Sequence, residues 1–309
     1  VKTFKGLAAV PAGFGPSAVT IGKFDGVHQG HRAVIGRLRE VAEARGLRAA
    51  VVTFDRNPLA LLAPDRCPDA LVSVRQKLGL LATTGIDAAL LLPFDRALAS
   101  LPPETFVREV LVDALDAEVV LVGSDFRFGN RGAGDVAMLE RLGRELGFTV
   151  ELIDDVRPLG ERRVSSTWIR ELLAEGDVRH AAELLGHTPT VSGIVVHGAK
   201  RGRELGFPTA NLSPESEGLI PADGVYAGWL TDSGTKYPAA ISVGNNPTFE
   251  GVPRKQVEAY VLDRDLDLYD HLVEVEFVDR LRGMVAFESV DALIERMHHD
   301  VEVAREILG

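Results

Sequence analysis

The chain has one cysteine, Cys67, in 309 residues. That excludes an intramolecular disulfide and any cysteine-rich metal site, and Cys67 reads as a reduced thiol in a loop. No apolar run reaches the roughly 18 residues that a membrane span needs, and the first residues lack a secretory-signal pattern. The expected location is therefore the cytoplasm. Positive charge is also short: 34 Lys and Arg against 45 Asp and Glu give a net charge of −11. A nucleic-acid binder would normally carry a basic excess, so neither nucleic acid nor a membrane is an expected partner. An acidic chain can still hold a nucleotide in a local pocket of amides or basic side chains. Internal repeats and low-complexity segments are absent too.

The composition that remains, 46% hydrophobic and 26% charged, is that of a globular protein, and the length suits two domains. Up to about residue 155, short apolar runs alternate with helix-period stretches. Ala18–Gly22, Ala49–Phe54, Ala88–Leu92, Val119–Gly123 and Thr149–Ile153 suit buried parallel strands. Between the first two, Val34, Ile35, Leu38, Val41 and Ala42 share one helical face, closed by Arg45-Gly46. This pattern predicts a doubly wound α/β domain with ligands at the carboxyl ends of its strands. Residues 165–186 read as helical, and Gly186 followed by Pro189 marks a boundary, giving domains 1–187 and 188–309. Beyond it, Ile194–Val196, Gly224–Leu230, Ala239–Val243, Val257–Leu262 and Leu272–Phe277 read as antiparallel strands of a small barrel. A terminal helix follows over about 290–308, its stripe formed by Leu293, Ile294, Met297, Val301, Ala304, Ile307 and Leu308.

Directly after the first of the parallel strands comes Gly22-Lys23-Phe24-Asp25-Gly26-Val27-His28-Gln29-Gly30-His31. Two histidines at a helix start suit an anion, because free amides and the helix dipole attract it and imidazoles can donate to phosphate oxygens. A zinc site would need a third and fourth ligand at suitable spacing, which the sequence does not offer. Arg163-Val164-Ser165-Ser166-Thr167-Trp168-Ile169-Arg170 is a second helix start, with hydroxyls and arginines suited to phosphates and a leaving pyrophosphate. The third feature is a glycine-rich basic loop running into a polar turn, Gly198-Ala199-Lys200-Arg201-Gly202-Arg203-Glu204-Leu205-Gly206-Phe207-Pro208-Thr209-Ala210-Asn211. Unaided, such a loop reads more readily as a solvated hairpin than as a triphosphate cradle.

The HxGH segment resembles the nucleotidyltransferase superfamily, and its GxFDGVHxGH form resembles prokaryotic bifunctional FAD synthetases in particular. The Gly206-Phe207-Pro208-Thr209-Ala210-Asn211 run is similar to the flavokinase family. Pro221–Tyr226, Gly244–Phe249, Val257–Tyr260, Leu268-Tyr269 and Leu281–Met284 follow in the matching order. The resemblance implies riboflavin phosphorylation to FMN in the barrel, and adenylylation of FMN to FAD in the α/β domain. ATP, riboflavin, FMN, FAD and pyrophosphate are then the expected small-molecule partners, with Mg2+ accompanying ATP and the chain a monomer or weak homo-oligomer.

Residue by residue, the resemblance implies that His28 and His31 are catalytic in adenylyl transfer. Gly22, Phe24, Asp25, Asn57, Asp125, Arg163, Ser165, Ser166, Thr167 and Arg170 bind nucleotide or flavin. In the kinase it implies Glu258 as the base for the riboflavin 5′-hydroxyl, although by pattern alone Glu258 is a charged residue on a strand surface. Gly198, Lys200, Gly202, Arg203, Gly206, Thr209, Asn211 and Arg282 bind ATP or flavin, with Thr209 and Asn211 also at the metal; for Arg282 a surface ion pair is the competing reading. Two positions depart from the family pattern. Asn57 stands where relatives carry histidine, and Asp125 where many carry asparagine. Asn57 has no positive charge, and a carboxylate beside phosphates is unfavourable unless it faces something else. A kinase with a weakened adenylyltransferase, or a non-catalytic flavin-binding regulator, are the alternative readings.

Overall fold

The computed structural model describes residues 1–153, 162–198, 205–245 and 255–309. They form two compact units, Val1–Ser165 and Ser166–Gly309. This division falls earlier than the 187/188 boundary expected from the sequence, because the helices of 166–185 pack with the barrel.

The first unit is built on six parallel strands. These are β1 (Lys2–Lys5), β2 (Ser17–Ile21), β3 (Arg48–Phe54), β4 (Ala88–Leu92), β5 (Ala117–Gly123) and β6 (Thr149–Ile153). Their order is β1-β4-β3-β2-β5-β6. Every residue of β2 and β4 is buried, as expected of strands covered on both faces. Alternate side chains feed opposite layers: Ala50 and Val52 join one core cluster, Ala49 and Val51 the other. The helix Gln29–Arg45 buries Ile35, Leu38, Val41 and Ala42 on that second face and stops at Gly46, φ +68°. Each of its larger buried side chains contributes about 1.5–3 kcal/mol. From β2 the chain steps outward to β3 and β4, then returns to place β5 on the other flank of β2. The loops leaving β2 and β5 therefore diverge at the carboxyl edge, the crevice where doubly wound sheets take ligands.

In the second unit, Ser166–Glu175 and Val178–Leu185 form two helices where the sequence suggested one stretch. Gly176, φ +82°, turns the chain between them, and the Asp177 side chain accepts from His180 N to start the second. Six antiparallel strands then close into a barrel: β7 (Thr190–Val196), β8 (Ala210–Leu212), β9 (Gly224–Asp232), β10 (Thr235–Asn245), β11 (Lys255–Val261) and β12 (Leu272–Arg282). The circular order is β10-β11-β8-β7-β12-β9. Along β11, Val257, Ala259 and Val261 fill the interior while Glu258 and Tyr260 face outward. The terminal helix Val290–Leu308 packs on β9, β10 and β12, with Ala304 buried against Ala227 and Leu262. It thereby roofs part of the outer barrel face.

Candidate active sites

At the end of β2 the chain leaves through Gly22 and takes left-handed conformations at Phe24 (φ +49°) and Val27 (φ +41°). Both side chains are buried, at 2% and 0% exposure. A buried β-branched residue at positive φ is rare outside strained sites. The turn delivers His28 to the N-cap of Gln29–Arg45, where its Nδ1 accepts from His31 N at 3.4 Å. The two imidazoles stack with centroids 3.7 Å apart, and Phe24 lies 5.0 Å from His31. Asp25 Oδ1 accepts from Leu71 N at 2.9 Å, tying the loop sideways.

His31 Nδ1 is buried without a hydrogen-bond partner among the described residues. Burial holds the His31 pKa well below its ordinary 6.5, and the charges of His28, Arg163, Lys23 and Lys77 act in the same direction. Its resting state near neutrality is thus an uncharged imidazole in a cationic setting. Such a site is complementary to an incoming anion.

The other expected residues of this site fall as follows. Asn57, three residues beyond β3, uses its Oδ1 to accept from Leu59 N at 3.1 Å, a local cap. Asp125, in the loop after β5, lies 3.3 Å from Arg163 Nη1, so its carboxylate meets a guanidinium. Ser165 is half-buried at the end of the first unit. Ser166, Thr167 and Arg170 occupy the first turns of the helix Ser166–Glu175 in the second. Lys77, which no motif pointed to, is buried and donates to the Lys23 and Phe54 carbonyls. Its signal in the sequence is a charged side chain four residues before Leu81, on the face that otherwise packs.

The second site forms on the barrel. β8 and β11 are antiparallel neighbours, and their register sets Asn211 opposite Glu258. Thr209 Oγ1 donates to Glu258 Oε2 at 3.3 Å, while Asn211 Nδ2 donates to Thr209 O at 3.1 Å. Burial raises the Glu258 carboxyl above its ordinary 4.5, opposed by the Thr209 hydrogen bond. At Gly198 a Cβ would fall 2.5 Å from the Asn211 side chain, so only glycine fits beside it. Gly206 is left-handed at φ +86°; Lys200, Gly202 and Arg203, like the 246–249 part of the Gly244–Phe249 segment, lie outside the described residues.

Glu258, Thr209 and Ser242 open on a mainly apolar cavity of about 260 Å³ between the outer barrel face and the terminal helix. Phe207, Tyr260, Met284, Phe287, Leu293 and Met297 line it. Thr209 also borders a second, smaller cleft with Arg264, Asp265 and Tyr269. Arg282, in the cavity wall, is gripped by Asp300: Nε to Oδ2 at 2.9 Å and Nη2 to Oδ2 at 2.7 Å. Asp300 is 4% exposed and also meets Arg296 at 3.1 Å. Like Lys77, it is a charge on an apolar stripe, between Met297 and Val301.

Thr209, Asn211 and Glu258 present hard oxygens of the kind a divalent cation takes. No group of three or more His, Cys, Asp or Glu side chains among the described residues could cage one unaided. The donor set therefore fits a metal that arrives with substrate phosphates.

A doubly wound sheet with a paired-histidine helix start in one unit, and a six-stranded barrel carrying a half-buried glutamate in the other, define a two-module transferase acting on nucleotides. The family described as FAD synthetase matches residues 12–168, and the one described as riboflavin kinase matches 185–308. A bifunctional riboflavin kinase/FMN adenylyltransferase from Escherichia coli strain K12 is 39% identical over 94% of this chain and 92% of its own. The protein of that description from Pseudomonas fluorescens is 38% identical over 93% and 92%. A crystal structure described as a macrolide-efflux protein from Streptococcus pneumoniae superposes with a TM-score of 0.88 at 31% identity over 99% of both chains. Among the described residues no helix is long and apolar enough to cross a membrane. The chain belongs to the bifunctional riboflavin kinase/FMN adenylyltransferase family.

Proposed function

We propose that this chain makes FAD in two ATP-dependent steps at two separate sites, phosphorylating riboflavin in module 188–309 and adenylylating FMN in module 1–187. The observation that carries this reading is that two independent chemical constellations are built: stacked His28 and His31 in one unit, and Glu258 with Thr209 and Asn211 in the other.

In the kinase step the apolar cavity takes the flavin ring, and Glu258 accepts the 5′-hydroxyl proton as that oxygen attacks the γ-phosphorus of ATP. An alcohol nucleophile gains from a positioned base, and burial makes this carboxylate a stronger one. Thr209 orients the carboxylate, and Asn211 fixes Thr209. Magnesium, held at Thr209 and Asn211 with the ATP phosphates, would supply charge neutralisation. Gly198, Lys200, Gly202, Arg203 and Gly206 serve the nucleotide, and Arg282 is positioned by Asp300 beside the flavin.

In the adenylyl step the FMN phosphate, already anionic, attacks the α-phosphorus of ATP and pyrophosphate leaves. No general base is required, so the site works by positioning and charge. His28, His31 and Arg163 donate to phosphate oxygens, and the family resemblance adds Ser165, Ser166, Thr167 and Arg170 as further nucleotide contacts. Gly22, Phe24, Asp25 and Asn57 shape the loops around the ligands.

Substitution separates the two steps. Glu258→Ala is expected to stop FMN formation and leave FMN-to-FAD conversion intact, and His28→Ala to do the reverse. A single substitution that abolishes both in a folded chain contradicts the two-site reading.

A further inference from the structure

The helix Val74–Ala82 starts with a reciprocal capping box between Ser73 and Gln76, and its two buried positions are Lys77 and Leu81. Lys77 is 8% exposed. Its ammonium donates to Phe54 O at 2.6 Å, at the end of β3, and to Lys23 O at 3.3 Å, in the turn after β2. Thr53 Oγ1 donates to that same Lys23 carbonyl at 3.1 Å. Asp25 and Asp55 supply the opposing negative charge, while burial pulls the ammonium pKa below its ordinary 10.5.

Burying an ammonium is costly, and an apolar side chain would fill the space more cheaply. What the lysine provides is a tie. The turn it grips holds Phe24 and Val27 at positive φ, a backbone state that persists only when its surroundings over-determine it. Five residues beyond the gripped Lys23 stands His28, and three beyond that His31.

We propose that Lys77 is a positioning residue for adenylyl transfer: its ammonium clips the histidine-bearing turn, at Lys23 O, to the end of β3, at Phe54 O. This rests on the FMN adenylyltransferase reading of the first unit. The titratable and charged groups acting on His31 are His28, Arg163, Lys23 and Lys77, and each favours the neutral ring. Removing the lysine charge therefore raises the pH at which His31 titrates.

The test uses the full chain as wild type, Lys77→Met and Lys77→Gln, the second keeping a hydrogen-bond donor without charge. FAD formation from FMN, FMN formation from riboflavin, and the His31 ring-proton titration by NMR are followed. In the variants the rate of FAD formation is expected to fall about 10- to 100-fold, the effect of small misplacement at a reacting centre. FMN formation is expected to be unchanged, and both the His31 titration and the His31-governed limb of the FAD pH–rate profile are expected to move to higher pH. A folded variant with wild-type rate and titration sinks the proposal, and so does a rate loss with the titration unmoved, which would mark a merely structural lysine. Wild-type protein that forms no FAD from FMN sinks the adenylyltransferase reading itself, and the role of Lys77 with it.

Discussion

Arg163 Nη1 stands 3.3 Å from Asp125 Oδ2, pairing the arginine expected at the nucleotide phosphates with the acidic residue that departs from the family pattern. The side chains are 51% and 73% exposed, so the pair is worth no more than about 1 kcal/mol. A triphosphate can displace such a partner at small cost. Asp125→Asn is thus expected to lower the KM for ATP in FAD formation by up to about 5-fold at low salt, that energy expressed as affinity. FMN formation should not change. Steady-state kinetics of both reactions check this, and a raised KM would mean that Asp125 contacts the substrate favourably.

Glu258 must be ionised to accept a proton, and burial shifts its ionisation upward from 4.5. The acid limb of kcat/KM for riboflavin phosphorylation is expected above that value. Thr209→Val removes the hydrogen bond that opposes burial, so the limb should move higher still while kcat falls. A limb at or below 4.5 would disqualify Glu258 as the base.

His31 carries a sign that stability measurements can read. Its folded-state pKa lies below the ordinary 6.5, so below that pH the unfolded chain binds the proton more readily. The stability tied to His31 is full above 6.5 and is lost as pH falls from there towards the folded value. Urea midpoints at pH 7.5 and 5.5 should fall more steeply with acid in wild type than in His31→Asn. Equal slopes would show that His31 is not neutral in the fold. His180, whose pKa is raised by its Asp177 partner, works in the opposite sense and is common to both proteins.

Arg282 and Asp300 are 13% and 5% exposed at their side chains. Breaking a buried pair from one side strands the other charge, at about 3–5 kcal/mol. Asp300→Ala is expected to destabilise the chain by about that amount and to weaken riboflavin phosphorylation. Replacing both partners, Arg282→Met with Asp300→Leu, should recover part of the stability, Arg296 still losing its carboxylate, but not the activity. Denaturant melts of the single and double variants settle the comparison.

The sequence conveyed the architecture where burial is simple. Ala88–Leu92 is a buried strand at the residues expected, and the terminal helix lies where its stripe placed it. Thr149–Ile153 is also a strand, but at the sheet edge and with no residue fully buried, against the buried strand expected. β1 escaped notice because Phe4 is its single buried residue, and the three-residue β8 is hidden in a run rich in glycine, proline and asparagine. Gly176 split a helix that its apolar periodicity alone would have continued. The motifs located the histidine turn and the Thr209–Asn211 segment, yet nothing local could place Glu258 against them. That relation comes from the β8–β11 register across 49 residues. Lys77 and Asp300 were illegible for the opposite reason: each is a charge on a packing face, which periodicity discounts until tertiary structure supplies its partners.

The most direct measurement is a chromatographic time course of the purified chain with riboflavin, ATP and magnesium, repeated with FMN in place of riboflavin. Two working sites predict FMN that rises and then gives way to FAD in the first reaction, and FAD without a lag in the second. FMN that accumulates with no FAD from either start would contradict the account, leaving a kinase joined to an inactive nucleotidyltransferase scaffold.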